Sequence, residues 1–480
     1  MTTLPAPPRP WWLCPGPLVA LILHAVIFLG LFQMRLPEGA WGRMAEQLPP
    51  NPTLSQWIDR MSADHGRLGF VRWFFDTHRE IGLYYRYASV TLHGIDPRHP
   101  ADDPRQGHFA PYREVKIEYQ PGALLVLLPP GIVARDYDSY ITAFVAWCGL
   151  LYGASLWLGL RLLADGRPLT PAQAGRALWG SVFFLFCFGG VAAARFDHIV
   201  PLLCLGSIAL FRRAERTGSS GWFAACGALT ACGALVKIVP GVVLPAALLC
   251  LCAAGPQPRW RPALALLTGF GVTLLVLNGL FYAWWGDGYV RSYTYHMERG
   301  IQLETLYAGI ILAARGFGLP YALVENYGAA HLATPLTPFL KSFSTLLFFA
   351  ASAAVAGRFW RRCSVTARLV PAHALLVLTL AFLLAFILTN KVLSPQYLLW
   401  VGPLLAALYG LRPDFFPGLL ILLVVSVLSQ LIFPFLYEQL LEFKFPLVVL
   451  LNVRNGLLLV LFGWLLWRLP RLLAEPADPA

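Results

Sequence analysis

The sequence predicts an all-α polytopic membrane protein, and three observations lead to that class. Of the 480 residues, 57% are hydrophobic, and the mean hydropathy is +0.60. Apolar runs close to the ~20 residues that a helix needs to cross a bilayer recur along the whole chain. Basic residues collect in every second connection between these runs, as they do in cytoplasmic loops.

The apolar runs predict about twelve transmembrane helices. The predicted spans are 15–33, 138–161, 177–194, 198–211, 222–236, 238–254, 262–282, 337–357, 371–389, 393–410, 414–434 and 446–467. The arginine-rich connections place both termini in the cytoplasm. The first run lacks a small-residue cleavage site, so we expect a retained anchor in the cell membrane.

Two predicted outer segments, 34–137 and 283–336, are too long to be simple connections, and long loops of this kind usually carry function. We find no internal repeat and no linker, so we expect a single membrane domain over 1–480. No Walker or GxGxxG motif follows a strand, which disfavours a soluble nucleotide-binding domain. The net charge of +12 reflects the cytoplasmic arginines, so no nucleic acid partner is expected.

The first outer segment is expected to contain interfacial helices. A capping box that begins at Thr53 predicts a short helix through Asp64, and a second helix is predicted from Val71 to His93. The apolar stretch that follows Tyr112 is too short to span and predicts a re-entrant or interfacial helix.

Two carboxylates mark this second predicted helix. Asp76, Glu80 and Tyr84 are spaced four residues apart and share one helix face. Carboxylates one turn apart can raise the pKa of one of them toward the range of a general base. The alternative is a structural role, in which Arg72 and Arg79 form ion pairs with the two acids.

Cations occupy the predicted short outer turns, where few are expected. They are Lys237, Lys391 and Arg195, the last accompanied by Asp197. They either reach toward lipid headgroups or converge on an anionic phosphate. The nine cysteines lie in or beside the predicted spans, so we expect neither disulfides nor a cysteine-based zinc site.

The second outer segment and the turn at Lys391 add further polar residues. These are His296, Arg299, Gln302, Glu304 and Gln396. Arg299 could bind a phosphate or a carboxylate. The structural alternatives are a solvated amphipathic helix around His296 and an ordinary proline-kinked helix start after Lys391.

Six stretches, taken in order, resemble the recurrent motifs of glycosyltransferase family 87. They are YYRYASVTLHG, PYREVKIEYQPGALLVLLP, RFDHIVPLL, VKIVPGVVLP, HMERGIQLETL and KVLSPQYLLW, and they extend from about residue 70 to the last span. These proteins are C-type (GT-C) membrane glycosyltransferases and include polyprenol-phosphate-mannose-dependent mannosyltransferases. The resemblance implies a GT-C architecture, a lipid-linked donor, an outer active site, inversion, and neither nucleotide nor obligatory metal.

The resemblance also implies that an acid of the first outer loop is the general base, and here the sequence departs from the family. The usual Asp four residues before Tyr84 is Glu80, and Asp76 lies one turn earlier. The usual Asp after Pro-Tyr-Arg is Glu114. The remaining first-loop motif residues are Tyr112, Arg113, Glu118 and Tyr119.

Together these features predict a membrane glycosyltransferase of the cell envelope without a cofactor. We expect it to move a hexose, with mannose the first candidate, from a polyprenyl-phosphate donor to a lipid or glycan acceptor outside the cytoplasm. Glu80 and Asp76 are the predicted catalytic residues. A transporter or flippase of a lipid-linked saccharide is the alternative, and an inactive GT-C relative that acts as a partner subunit is a third interpretation.

Overall fold

The computed structural model describes residues 10–34, 75, 81–164, 167–253, 259–363 and 372–474, and these fold mainly into helices. The helices are α1 (Pro15–Leu29), α2 (Ile81–His93), α3 (Leu124–Val133), α4 (Tyr137–Ala164), α5 (Pro171–Phe188), α6 (Ile199–Thr217), α7 (Ser220–Val236), α8 (Val243–Ala253), α9 (Trp260–Trp285), α10 (Asp287–Glu298), α11 (Leu306–Ala313), α12 (Thr337–Cys363), α13 (Ala372–Thr389), α14 (Leu398–Leu411), α15 (Phe416–Gln430), α16 (Tyr437–Leu441) and α17 (Phe445–Ala474). The strands are β1 (Ile301–Gln302), β2 (Ala322–Asn326) and β3 (Ala329–Ala333).

Each of the twelve predicted spans overlaps one helix of the structure. Within the described residues, seven helices are long and apolar enough to cross a membrane, judged by length and composition. They correspond to α1, α4, α5, α9, α12, α15 and α17. The chain is therefore a largely α-helical membrane protein, as the sequence predicts. The other five helices at predicted spans are shorter or less apolar, so the number of twelve crossings stays a prediction.

The core of the bundle surrounds α14. This helix is apolar on all sides, and its residues from Leu398 to Leu408 are all buried. A helix that is hydrophobic all round is suited to such an interior position. By contrast, α9 and α12 expose most of their apolar side chains, which suits a surface that faces lipid.

Small residues bring the backbones of α7 and α9 together. A β-carbon built on Gly227 would lie 2.0 Å from the Leu266 carbonyl oxygen. One built on Gly269 would lie 2.0 Å from the Ala224 carbonyl oxygen. Close backbone contact through small residues is a common way for membrane helices to pack, because apolar burial between helices gains little in lipid.

An ion pair with a buried carboxylate joins α2 to the loop that follows it. Asp96 is fully buried and accepts hydrogen bonds from Nε and Nη2 of Arg86, at 2.8 and 2.6 Å. The helix predicted to end at His93 is helical where it is described, at Phe75 and along α2. The helix predicted from Thr53 lies outside the described residues. As predicted, the apolar stretch near residue 125 forms only the 10-residue α3.

The second long segment contains a small antiparallel sheet with the order β1-β3-β2, which the all-α prediction did not include. Strands β2 and β3 form a hairpin whose two-residue turn is Tyr327 and Gly328, with φ angles of 50° and 65°. Two positive φ angles are typical of the turn that suits the twist of a two-residue hairpin. The helix around His296, which the structural alternative for this segment expected, is present as α10 and ends at Glu298.

Candidate functional site

The connections that carry the predicted cations meet at one end of the helix bundle. Arg195 follows α5, Lys237 follows α7 and Lys391 follows α13. The segment from α10 to the first turns of α12 lies against these connections, and together they line a pocket of about 1190 Å³. This volume is slightly above the usual range of small-molecule sites.

The pocket contains more cations than carboxylates. Its basic residues are Arg195, Lys237, Arg299, Lys341 and Lys391, and its acidic residues are Glu118, Glu304 and Glu325. A cavity lined mainly by one sign of charge concentrates ligands of the opposite sign. The pocket therefore favours an anionic ligand. His296, Gln302 and Gln396, which the sequence also singles out, line the same cavity.

Lys237 is fixed by a buried acid. Its ammonium lies 2.6 Å from Oδ1 of Asp197, and the indole N–H of Trp400 donates to the same oxygen at 2.7 Å. The ammonium also lies 4.9 Å from the ring centroid of Phe196. Asp197 does not line the pocket. It instead holds the side chain of Lys237, which does line the pocket, in place.

Two lysines bind the carboxyl end of α10, where the helix dipole favours cations. The Lys391 ammonium donates to the Met297 carbonyl at 2.6 Å, and the Lys341 ammonium donates to the Glu298 carbonyl at 3.2 Å. Burial, together with the charges of Lys341 and Arg299, lowers the pKa of Lys391 to about 8. An anion bound here would offset this repulsion.

Arg299 follows directly after α10 and lines the same part of the pocket. Its Nε is buried and has no hydrogen-bond partner in the described part of the chain. A buried guanidinium donor without an acceptor is costly, so ligand oxygens at this point would be favourable.

A carboxylate lies beside β1. Gln302 donates from Nε2 to Oε2 of Glu304 at 2.9 Å and to Oγ of Ser394 at 3.3 Å. Glu304 is 2% exposed, and burial raises its pKa to about 7. A carboxyl group with this pKa can take up and release protons near neutral pH, which suits a general acid or base.

Helix α17 contributes two buried polar residues that the sequence analysis did not single out. Arg454 donates from Nη2 to the Glu304 carbonyl oxygen at 3.0 Å, and Asn455 donates to the same oxygen at 3.4 Å. Both side chains are buried. The signal was present in the sequence, because an arginine within the predicted span 446–467 is a functional candidate by default.

Residues of α10 and of the first long segment line another wall of the pocket. Burial, followed by the nearby charges of Arg299 and Lys237, lowers the pKa of His296 to about 4, so its imidazole is neutral at pH 7. Glu118 and Tyr119 lie beside it in the pocket lining. The Tyr112 hydroxyl donates to the Tyr119 carbonyl at 2.7 Å and so helps to fix the position of Tyr119.

Three other residues of the first-loop motif do not line the pocket. Tyr84 packs in the core, with its ring 5.3 Å from that of Phe144. Arg113 donates to the Trp284 carbonyl at 2.9 Å, and Glu114 accepts from the Ala110 backbone N–H at 2.9 Å. These contacts brace the segment.

The predicted catalytic acids, Asp76 and Glu80, lie outside the described residues. The sequence-predicted residues that the structure does bring together in the pocket are Glu118, Tyr119, Arg195, Lys237, His296, Arg299, Gln302, Glu304, Lys391 and Gln396.

The fold and this site define a class: a largely helical integral membrane protein with a basic pocket at one end of its bundle. No model of a known protein family matches the chain, and no curated protein matches it.

Proposed function

We propose that this protein is a GT-C membrane glycosyltransferase related to family 87. It transfers a hexose, with mannose the first candidate, from a polyprenyl-phosphate donor to a lipid or glycan acceptor. The observation that carries the proposal is the pocket, in which five cations and three carboxylates line one cavity at the end of a membrane bundle.

The residue types suit inverting transfer. The acceptor oxygen attacks the anomeric carbon from the face opposite the phosphate and forms the new glycosidic bond. The bond between the anomeric carbon and the phosphate oxygen breaks, and its electron pair leaves with polyprenyl phosphate. The cations stabilise this leaving group, while a carboxylate takes the proton of the acceptor hydroxyl.

Apolar residues in the same lining support a lipid-linked donor over a soluble one. Phe348 and Val239 line the pocket beside its polar groups. Ile238, next to Lys237, also lines it and leaves 65% of its surface exposed. An apolar surface that continues from a phosphate-binding group suits a prenyl chain attached to that phosphate.

The base is proposed among three acids. Glu80 has the spacing of the family motif, and Asp76 has the usual residue type. Glu304 joins them because it lines the pocket and has a pKa of about 7.

The proposed topology follows the arginine-rich connections. It has twelve crossings, cytoplasmic termini and the pocket on the extracytoplasmic side of the cell membrane.

A transporter or flippase of a lipid-linked saccharide is the second candidate, and Arg454 favours it. Transporters place charges within the membrane-spanning region, and Arg454 is a buried charge inside α17. The contact of Arg454 with the Glu304 backbone also fits a supporting role for a catalytic pocket. Covalent transfer of the sugar separates the two functions.

Membranes that contain the protein are incubated with radiolabelled polyprenyl-phosphate sugars to test the proposal. We expect wild type to label an acceptor and one of Asp76→Asn, Glu80→Gln or Glu304→Gln to lose at least about a hundredfold in rate, a typical contribution of a general base. Full activity in all three variants would reject the proposed bases. No labelled product from any sugar of the panel would reject the enzyme.

A further inference from the structure

The tip of the β2–β3 hairpin forms a wall of the pocket that the transfer chemistry does not use. Glu325, Asn326, Tyr327 and Gly328 all line the cavity. Glu325 and Asn326 are exposed, and Tyr327 is half-buried. This wall therefore presents a carboxylate, an amide and an aromatic ring to a ligand.

Tyr327 occupies a position that suits other residues better. Its φ of 50° is left-handed, and the first position of such a turn is favourable for Asn, Asp or Gly. A tyrosine in a sparsely populated backbone conformation points to a use for its side chain. The surrounding contacts determine where that side chain lies.

The Tyr327 ring is held by its neighbours. Its hydroxyl donates to Oε2 of Glu298 at 3.0 Å, and its ring packs edge-on against Tyr295, with centroids 5.1 Å apart. The adjoining lining residues are Gly328, Ala329 and Ala330, which carry at most a methyl group. The ring is thus fixed next to open space.

A fixed aromatic ring beside exposed hydrogen-bonding groups is the arrangement that binds a sugar. The C–H face of a pyranose packs on an aromatic ring, and carboxylate and amide groups bind its hydroxyls. The carboxylate of Glu325 disfavours a phosphate at this wall, because like charges repel. A phosphate is better placed at Lys391 and Arg299, beside the carboxyl end of α10.

We propose that the hairpin tip binds the sugar headgroup of the acceptor, with Tyr327 as the ring on which it packs. This inference rests on the proposed function and narrows it, because it makes the acceptor a glycoside rather than a lipid without sugar. The donor phosphate and the acceptor sugar then occupy different walls of one pocket.

The test uses the full-length protein in nanodiscs, with n-octyl α-D-mannopyranoside as the acceptor probe and undecaprenyl phosphate as the donor probe. Tyr327→Asn keeps a residue that favours the turn but removes the ring, and Tyr327→Phe keeps the ring. We expect Tyr327→Asn to weaken glycoside binding about tenfold, the effect of one aromatic contact, and Tyr327→Phe to weaken it less than about threefold. Binding of undecaprenyl phosphate should be unchanged in both.

Asn326→Ala provides a second variant, which leaves both turn residues unchanged. The Asn326 side chain is exposed, so its removal leaves the packing of the hairpin intact. We expect weaker glycoside binding here too. The inference is overturned if wild type does not bind the glycoside, if Tyr327→Asn and Asn326→Ala bind it as wild type does, or if they weaken undecaprenyl phosphate binding equally. A different result would reject the proposed function itself: wild type would neither bind undecaprenyl phosphate nor transfer a hexose.

Discussion

At the scale of single residues, the proposed site is a group of charges that lie close to one another. Lys391, Lys341 and Arg299 surround the carboxyl end of α10, and Glu304 lies beside β1 against Arg454. Lys391 and Glu304 have shifted pKa values, and Arg299 and Arg454 each have a buried guanidinium nitrogen with no hydrogen-bond partner in the described part of the chain, features that cluster at functional sites. These residues therefore give the most specific predictions.

Lys391 should make donor binding depend on pH. Its pKa is lowered to about 8 from the usual 10.5, so in the unliganded protein the ammonium loses its proton as pH rises through 8. A polyprenyl phosphodiester keeps the same charge over this range and binds the protonated form. We expect its affinity to be about tenfold weaker at pH 9 than at pH 7, measured by competition with a labelled donor.

Lys391→Arg is the matched control for this titration, because arginine stays protonated throughout. Glu304, with its pKa of about 7, also becomes negatively charged as pH rises, which lowers the affinity for an anion. This contribution of Glu304 to the loss of affinity remains in the Lys391→Arg variant. The variant should therefore lose less affinity between pH 8 and pH 9 than wild type. Equal losses would show that Lys391 does not face the phosphate.

Arg454 and Glu304 should be energetically coupled. Arg454→Met removes the donor to the Glu304 carbonyl oxygen and the positive charge that offsets the burial of the Glu304 carboxylate, and we expect a loss of ~1–3 kcal/mol of stability. Glu304→Gln removes the buried acid, so the double variant should be more stable than the sum of the two single effects predicts. Unfolding in detergent measures this, and strictly additive losses would contradict the coupling.

At the scale of elements, the pocket depends on how α10 docks on the first long segment. A β-carbon on Gly288 would overlap the Tyr112 carbonyl oxygen, at 1.7 Å, so this docking allows no side chain at that position. The segment that carries Glu118 and Tyr119 is thereby fixed against the helix that carries His296.

Gly288→Ala should therefore loosen this wall of the pocket. We expect a loss of ~1–3 kcal/mol in the free energy of unfolding and weaker donor binding, because backbone would have to move. Gly357→Ala in α12 is the matched control, since nothing lies within 4 Å of its added β-carbon. That variant should be neutral or slightly stabilised. Equal behaviour of the two variants would argue against this docking.

The elements also show how far sequence reasoning reaches. Apolar runs predicted the seven long apolar helices of the described residues, because a membrane helix must be apolar over its length. Counting alternate connections placed Arg195, Lys237 and Lys391 together, since connections on one side share one end of the bundle. The hairpin was missed because its turn has Tyr327 where Asn would signal it. The contact between Arg454 and Glu304 joins residues 150 positions apart and follows only from tertiary packing.

At the scale of the whole molecule, the arrangement is a helical membrane bundle with one basic pocket described at its end. The position of this pocket relative to the membrane sides is a prediction from the arginine distribution. Epitope tags inserted after Asp102 and after Gly218 test it, because both positions lie in connections between helices. In intact cells, we expect an antibody to reach only the tag after Asp102. Access to the tag after Gly218 instead would invert the topology.

The central claim is that the pocket transfers a sugar, and sealed proteoliposomes test it most directly. They contain purified protein, a polyprenyl-phosphate donor with a radiolabelled hexose, and a glycolipid acceptor. We predict that the label moves covalently to the acceptor, and that Arg299→Gln reduces the rate about tenfold or more through loss of a charge-assisted contact. Arg291→Gln, which removes an exposed cation of α10, should act as wild type. Movement of intact donor across the bilayer without any labelled acceptor would contradict the account.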